Sequence, residues 1–253
     1  MGGRTIAVGD IHGDLQHLLA LVDHLPTLDA GDTLVFVGDY VDRGPQSAQV
    51  VEFLRHELPK RFACKLVCLR GNHEDAWLKV RRQGWVEFVL PASNGCLPTV
   101  RSYGVGKPST SDDFPTREEM EALFTGSFFP QDVVDWMQGL PVFYEDEHAI
   151  YVHAGVPRLG ERWAHPSELE ETKPLMWQRS PDFFRGYDGK RLVFGHTVAE
   201  ALPQELSQMT PGNASDAFVS EHLIGIDTSC GNGGYLTAVE LPSLTLYESR
   251  KYL

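Results

Sequence analysis

The chain has 253 residues, 22 Lys and Arg against 35 Asp and Glu, a formal charge of −13, and 42% hydrophobic residues. Such an acidic surface repels nucleic-acid backbones, so DNA or RNA partners are disfavoured, and no apolar stretch approaches the length of a membrane span. The apolar content suffices for a sizeable core, and we expect residues 1–253 to form one α/β domain in which 93–147 serve as a cap of helices and loops.

In chain order, Thr5–Val8 has strand character and runs into Gly9-Asp10-Ile11-His12-Gly13. This strand starts too early for a basic and then apolar leader, so no secretory signal is expected and cytoplasmic is the default location. Leu15–Leu25 carries apolar residues at helical spacing, and Thr33–Val37 leads to Gly38-Asp39-Tyr40-Val41-Asp42-Arg43-Gly44. Gln46–Leu58 is again helical in pattern, and Lys65–Leu69 leads to Gly71-Asn72-His73-Glu74. Strand, helix, strand, helix, strand is the order of parallel βαβ units, which gather their loops at the carboxyl ends of the strands. Further on, Thr116 and Glu119 predict a capping box before Met120–Phe124, and Val133–Leu140 reads as part of a wall over the site. Ala149–Val152, Leu192–Phe194, Leu223–Ile226, Tyr235–Leu241 and Thr245–Tyr247 are short strand candidates, the last ones suggesting an antiparallel or mixed second sheet. The stretch 211–216 reads as an exposed loop. The four cysteines form no C-x₂-C pair, and Cys64 and Cys68 are expected as small buried hydrophobes.

The polar clusters follow predicted strands, and their residue types suit metal ions. Asp10 and His12 are two apart and emerge on the same side of an extended segment. Asp39 has two oxygens that could bridge one ion to a second, and Asn72 adds a neutral amide oxygen. His153 and His196, each at the end of a predicted strand, can complete the second ion's shell. Mixed nitrogen and oxygen donors suit Mn, Fe, Zn or Co better than Ca, and the lack of thiolates argues against structural zinc. Two ions about 3.5–4 Å apart polarise a phosphoryl oxygen and turn a bridging water into hydroxide near neutral pH.

His73 stands beside Asn72 and can donate a proton to a leaving oxygen, with Asp42 fixing its imidazole. Arg43 offers a planar fork to phosphate oxygens, and Arg179 could supply a second arm. Asn72 also lies within reach of a bound phosphate. Asp227, at the end of Leu223–Ile226, is expected to hold a histidine or to orient the site from outside the ligand set. Trp77, Trp85, Trp136, Trp163 and Trp177 read as core or cleft wall.

Gly9-Asp-Ile-His-Gly13, Gly38-Asp-Tyr-Val-Asp-Arg-Gly44, Gly71-Asn-His-Glu74, His153-Ala-Gly155 and Gly195-His-Thr197 together resemble the motifs of the phosphoprotein phosphatase family of calcineurin-like metallophosphoesterases. The resemblance implies a β-sandwich of mixed sheets flanked by helices, with a dinuclear metal site at strand ends. It implies Asp10, His12 and Asp39 on one ion, Asp39, Asn72, His153 and His196 on the other, and His73 with Asp42 as the acid pair. Arg43 and Arg179 would clamp the phosphate. The implied ions are two divalent cations, Mn²⁺ first, then Fe or Zn.

Where eukaryotic members carry His-Gly-Gly this chain has His153-Ala154-Gly155, while Gly225-Ile-Asp-Thr228 and Gly233-Gly-Tyr-Leu-Thr237 are similar to the compact bacterial branch. That branch implies a protein serine/threonine phosphatase acting on a phosphoprotein or phosphopeptide, which the complete Val41-Asp-Arg-Gly44 favours. A symmetrical diadenosine-tetraphosphate hydrolase giving ADP, acting on a dinucleoside polyphosphate, is the alternative. A catalytically dead phosphopeptide-binding scaffold is a third reading, opposed by the full metal set.

Overall fold

A computed structural model describes residues 3–106, 114–209, 213 and 215–253. Strands β1 (Thr5–Val8), β2 (Thr33–Phe36) and β3 (Lys65–Cys68) run parallel, with helix α1 (Leu15–Val22) crossing between the first two. The second crossover is α2 (Ser47–Glu52), a π-helical turn at Phe53–Glu57 and α3 (Leu58–Arg61). The helix expected at Gln46–Leu58 therefore runs a turn further, with Leu58 buried. α4 (Asn72–Gln83) follows β3 directly, then α5 (Val86–Val89), α6 (Cys96–Ser102), α7 (Arg117–Thr125) and α8 (Gln131–Gly139).

A second sheet comprises β4 (Phe143–Glu145), β5 (Ile150–Val152), β8 (Leu192–Phe194), β9 (Phe218–Val219) and β10 (Leu223–Gly225), with a small hairpin of β6 (Arg158–Leu159) and β7 (Arg162–Trp163) outside it. Its order is β4-β5-β8-β10-β9, and β5, β8 and β10 are mutually parallel. Contrary to the sequence suggestion, β11 (Thr237–Leu241) and β12 (Thr245–Glu248) do not join this sheet. They extend the first one to the order β12-β11-β1-β2-β3, with β11 antiparallel to β1. The physical reason is that β1 needs a partner on its open edge, and β11 brings Val239 and Leu241 to the core between the sheets while Ala238 faces the helices.

The alternation of side chains assigns the layers. Ile6, Val8, Leu34 and Phe36 pack under the helices, while Ala7, Val35, Val67, Tyr151, Val193 and Ile224 fill the space between the sheets. Leu192, Phe194 and Leu223 turn outward to a third cluster with Phe183 and Phe184. The capping box at Thr116 and Glu119 forms, the Glu119 amide donating to Thr116 Oγ1 at 3.2 Å. Of the loop expected at 211–216, residues 211, 212 and 214 lie outside the described residues. No described helix is long and apolar enough to cross a membrane.

Helix α4 was not legible because charged residues at Glu74, Asp75, Lys79, Arg81 and Arg82 dilute its apolar face of Ala76, Trp77 and Val80. Trp77 is completely buried and sits edge-on against Phe128 and Phe129. Replacing it with Ala is expected to lower unfolding free energy by about 3–5 kcal/mol in urea titrations. A loss under about 1 kcal/mol would remove Trp77 from the core's main supports.

Candidate metal centre

Both sheets deliver polar residues from the carboxyl ends of their parallel strands. Asp10 and His12 follow β1, Asp39 follows β2, Asn72 and His73 open α4 after β3, and His153, His196 and Asp227 follow β5, β8 and β10. All eight are buried. His12, Asp39, Asp42, Arg43 and His196 have positive φ between 48° and 73°, left-handed backbone that costs of order 1–3 kcal/mol per non-glycine residue. Gly71 is needed for close approach, since a Cβ there would lie 2.3 Å from the Asp39 amide nitrogen.

Asp39 is the common point. Its Oδ2 lies 3.5 Å from His12 Nε2, 3.4 Å from His153 Nε2 and 3.8 Å from His73 Nε2, while Oδ1 accepts from the His73 amide at 3.0 Å. Two groups of donor atoms share it: His12, Asp39 and His73, and Asp39, His153 and His196. Asn72 Oδ1 lies 2.9 Å from His153 Nε2 and 2.7 Å from His196 Nδ1, completing the second group. His12 Nδ1 is 3.0 Å from the Val41 carbonyl and His153 Nδ1 is 3.0 Å from that of Val37. Donating there places a proton on Nδ1 and leaves each Nε2 as the ring nitrogen turned toward the site.

Asp10 Oδ1, His12 Nε2, His196 Nε2 and Asp227 Oδ2 are buried with no hydrogen-bond partner among the described residues. Unpaired buried acceptors are costly, and a cation satisfies several of them together. Burial and then the nearby Asp227 push the Asp10 carboxyl up, whereas burial pushes His12 down. Against the cost of burial, Asp39 and Asp10 hold His153 up at about 9, positive charge that an ion would otherwise bring. The donor set fits divalent metal ions.

Asp42 is fixed on every side. Its carboxylate accepts from Trp77 Nε1 at 2.9 Å and Thr99 Oγ1 at 2.7 Å, and pairs with His73 Nδ1 at 2.7 Å. Arg43 is half-buried, its amide donating to Gly95 O at 2.9 Å. The Arg179 side chain is exposed at the mouth, with Nη2 at 3.4 Å from His196 Nδ1 and Nη1 at 3.4 Å from Thr197 Oγ1. Asp227 does not hold a histidine; its Oδ1 accepts from the Ser229 amide at 3.0 Å.

Three supporting residues escaped the sequence reading. Glu74 accepts from the amides of Asp39, Tyr40 and Gly71 at 3.0, 2.8 and 3.0 Å, tying two strand ends together. Burial, then the neighbouring Asp39, raises its carboxyl to about 7. Its position three residues after Gly71 is half of a capping box, a signal hidden because glycine has no capping side chain. Trp77 and Thr99 carry no local signal; only tertiary contact brings their donors to Asp42.

The calcineurin-like phosphoesterase family profile matches residues 3–200. The curated relatives include proteins named "Bis(5'-nucleosyl)-tetraphosphatase, symmetrical" from Pseudomonas putida, one 32% and one 40% identical over 179 residues. Each match covers 66% of this chain, which spans about half (48%) of the relative's length. Among solved structures, one provisionally assigned as a diadenosine tetraphosphatase is 23% identical with a TM-score of 0.54, covering 98% of this chain and 93% of its own. A cold-active protein-tyrosine phosphatase of a psychrophilic Shewanella is 16% identical with a TM-score of 0.56, covering 97% and 77%. These two likenesses show the fold. The curated names differ from the serine/threonine phosphatase branch that the motifs suggested. With its profile matched along most of its length, this chain belongs to the calcineurin-like phosphoesterase family.

Proposed function

We propose that this chain hydrolyses a dinucleoside tetraphosphate symmetrically to two nucleoside diphosphates, using two divalent ions with Mn²⁺ as first choice. The observation that carries the reading is the convergence of Asp10, His12, Asp39, Asn72, His153 and His196 from five strand ends, in a chain whose curated relatives bear that activity's name. In this role Asp10, His12 and Asp39 would hold one ion, and Asp39, Asn72, His153 and His196 would hold the other. Bound there, the ions supply Lewis-acid polarisation of a phosphoryl oxygen and a nucleophile usable near neutral pH.

The protein's own groups bind, orient and move the proton. Arg43 presents a guanidinium to two phosphoryl oxygens, and Arg179 at the mouth meets the charge that develops on the third. Asn72 would also touch the phosphate from the ligand set. With Nδ1 of His73 engaged by Asp42, Nε2 is the atom that carries a proton to the leaving oxygen.

A second reading, a protein serine/threonine phosphatase, is favoured by that same His73–Asp42 pair. A nucleoside diphosphate leaves as a stable anion near neutral pH, whereas a seryl or threonyl oxygen needs the proton. Side-by-side turnover with Mn²⁺ separates the two. Preference for diadenosine tetraphosphate, with ADP the sole nucleotide product, is expected; a higher kcat/KM on a phosphoserine peptide would replace the first reading with the second.

His73→Asn is expected to lower kcat about 10²–10⁴-fold on substrates with poor leaving groups and less on p-nitrophenyl phosphate. Equal losses on both kinds of substrate would withdraw the acid role. For Asp39→Asn, calorimetric titration with Mn²⁺ should show loss of tight binding at both positions, together with loss of turnover. Two ions bound at wild-type affinity would rule out Asp39 as the shared ligand.

A further inference from the structure

This acidic chain pairs many of its cations with carboxylates, among them Arg4, Arg55, Arg101, Arg162, Arg185 and Arg250. Four cations depart from that pattern in one place. Arg70, Lys79, Arg81 and Arg82 line a cavity of about 500 Å³ between α4 and α8, together with Asp75 and the neutral amides of Gln131 and Gln138. Arg70, Lys79 and Arg81 are half-buried there.

Their contacts are with neutral groups. Arg70 donates through Nε to the Met137 carbonyl at 3.1 Å and through Nη2 to that of Gln138. Arg81 Nη1 donates to Gly126 O at 3.0 Å, and Nη2 to Gln131 Oε1 at 3.2 Å. Lys79 Nζ sits 3.6 Å over the Trp85 ring. These partners fix the side chains without cancelling their charge. Among the described lining residues the one carboxylate, Asp75, is engaged by Trp177 Nε1 at 2.9 Å. Four positive groups against one negative, partly desolvated, make an uncompensated field that a multiply charged anion would neutralise. Guanidiniums held by carbonyls keep further N–H groups free for the paired oxygens of phosphate.

We infer that this cavity is a binding site for a free oligophosphate anion, separate from the metal centre. Lys79 and Arg82 follow His73 by six and nine residues on α4, so they lie about 9–14 Å along the helix from it. The cavity is concave and half-open, which suits a small anion better than a flat membrane surface. The site stands whether the metal centre cleaves dinucleotides or phosphopeptides.

The test titrates the metal-loaded protein with methylenebisphosphonate, a non-hydrolysable phosphate chain, in excess Mg²⁺ and follows tryptophan emission, which Lys79 on the Trp85 face should make sensitive to binding. Saturable binding is expected in wild type and in Arg43→Ala, weakened at least about tenfold in K79M/R82Q and in the single charge reversal Arg82→Glu. Lys79 and Arg82 support no backbone group, so the fold is expected to survive. Absence of saturable binding, or an unchanged Kd in both cavity variants, would overturn the site. Loss of the signal in Arg43→Ala alone would assign the binding to the metal centre instead. Co-sedimentation with anionic vesicles, without binding of the free bisphosphonate, would replace the free anion by a lipid headgroup.

Discussion

The Asp39 carboxylate is the constraint on which the rest of this structure rests. Three imidazoles point at its Oδ2 from three different strand ends, and all of these groups are buried. Such a gathering is expensive in protein alone, because partly unpaired donors and acceptors are removed from water together. Cationic charge at the centre would offset that cost. The two parallel strand trios, one in each sheet, bring their carboxyl ends to one edge of the sandwich and so make the gathering geometrically possible.

Holding the cluster requires backbone that ordinary residues avoid. Five non-glycine site residues take left-handed conformations, and hydrogen bonds from elsewhere in the fold over-determine them. Glu74 binds the amides of Asp39, Tyr40 and Gly71, and Asp42 has its own amide donating to Ser47 Oγ and Thr99 Oγ1. The helices packed on the outer face of the first sheet therefore do two things at once: they close the core, and they supply Glu74, Trp77 and Thr99 to the site's scaffold.

The candidate donor groups around Asp39 suit divalent ions, while the groups beside them bear on what leaves. His73 with Asp42 suits a leaving oxygen that needs a proton. The cationic cavity beside α8 adds a second place where phosphate chemistry is favoured in a chain of charge −13. Its position on the same helix as Asn72 and His73 gives α4 two ends with related chemistry.

Much of this was legible in the residues. The short motifs following Val8, Val37 and Leu69 marked strand ends because glycine and carboxylate or amide residues break an apolar run abruptly, and βαβ order placed those ends together. The nine residues named for the metals, the acid pair and the position after Ile226 (Asp227) all arrive in one buried cluster, since a motif's chemistry is local and its strand gives it direction. Other features were not local. β11 joins β1 rather than the second sheet because edge pairing depends on which strand is left open, not on β11's own sequence. Asp227 rests on the Ser229 amide, and Asp42 is held by Trp77 and Thr99 from 35 and 57 residues away. The sequence by itself determined which chemical groups stand at the strand ends; tertiary structure alone decided which neighbours fix them, because hydrogen bonds between distant residues leave no periodicity or spacing to read.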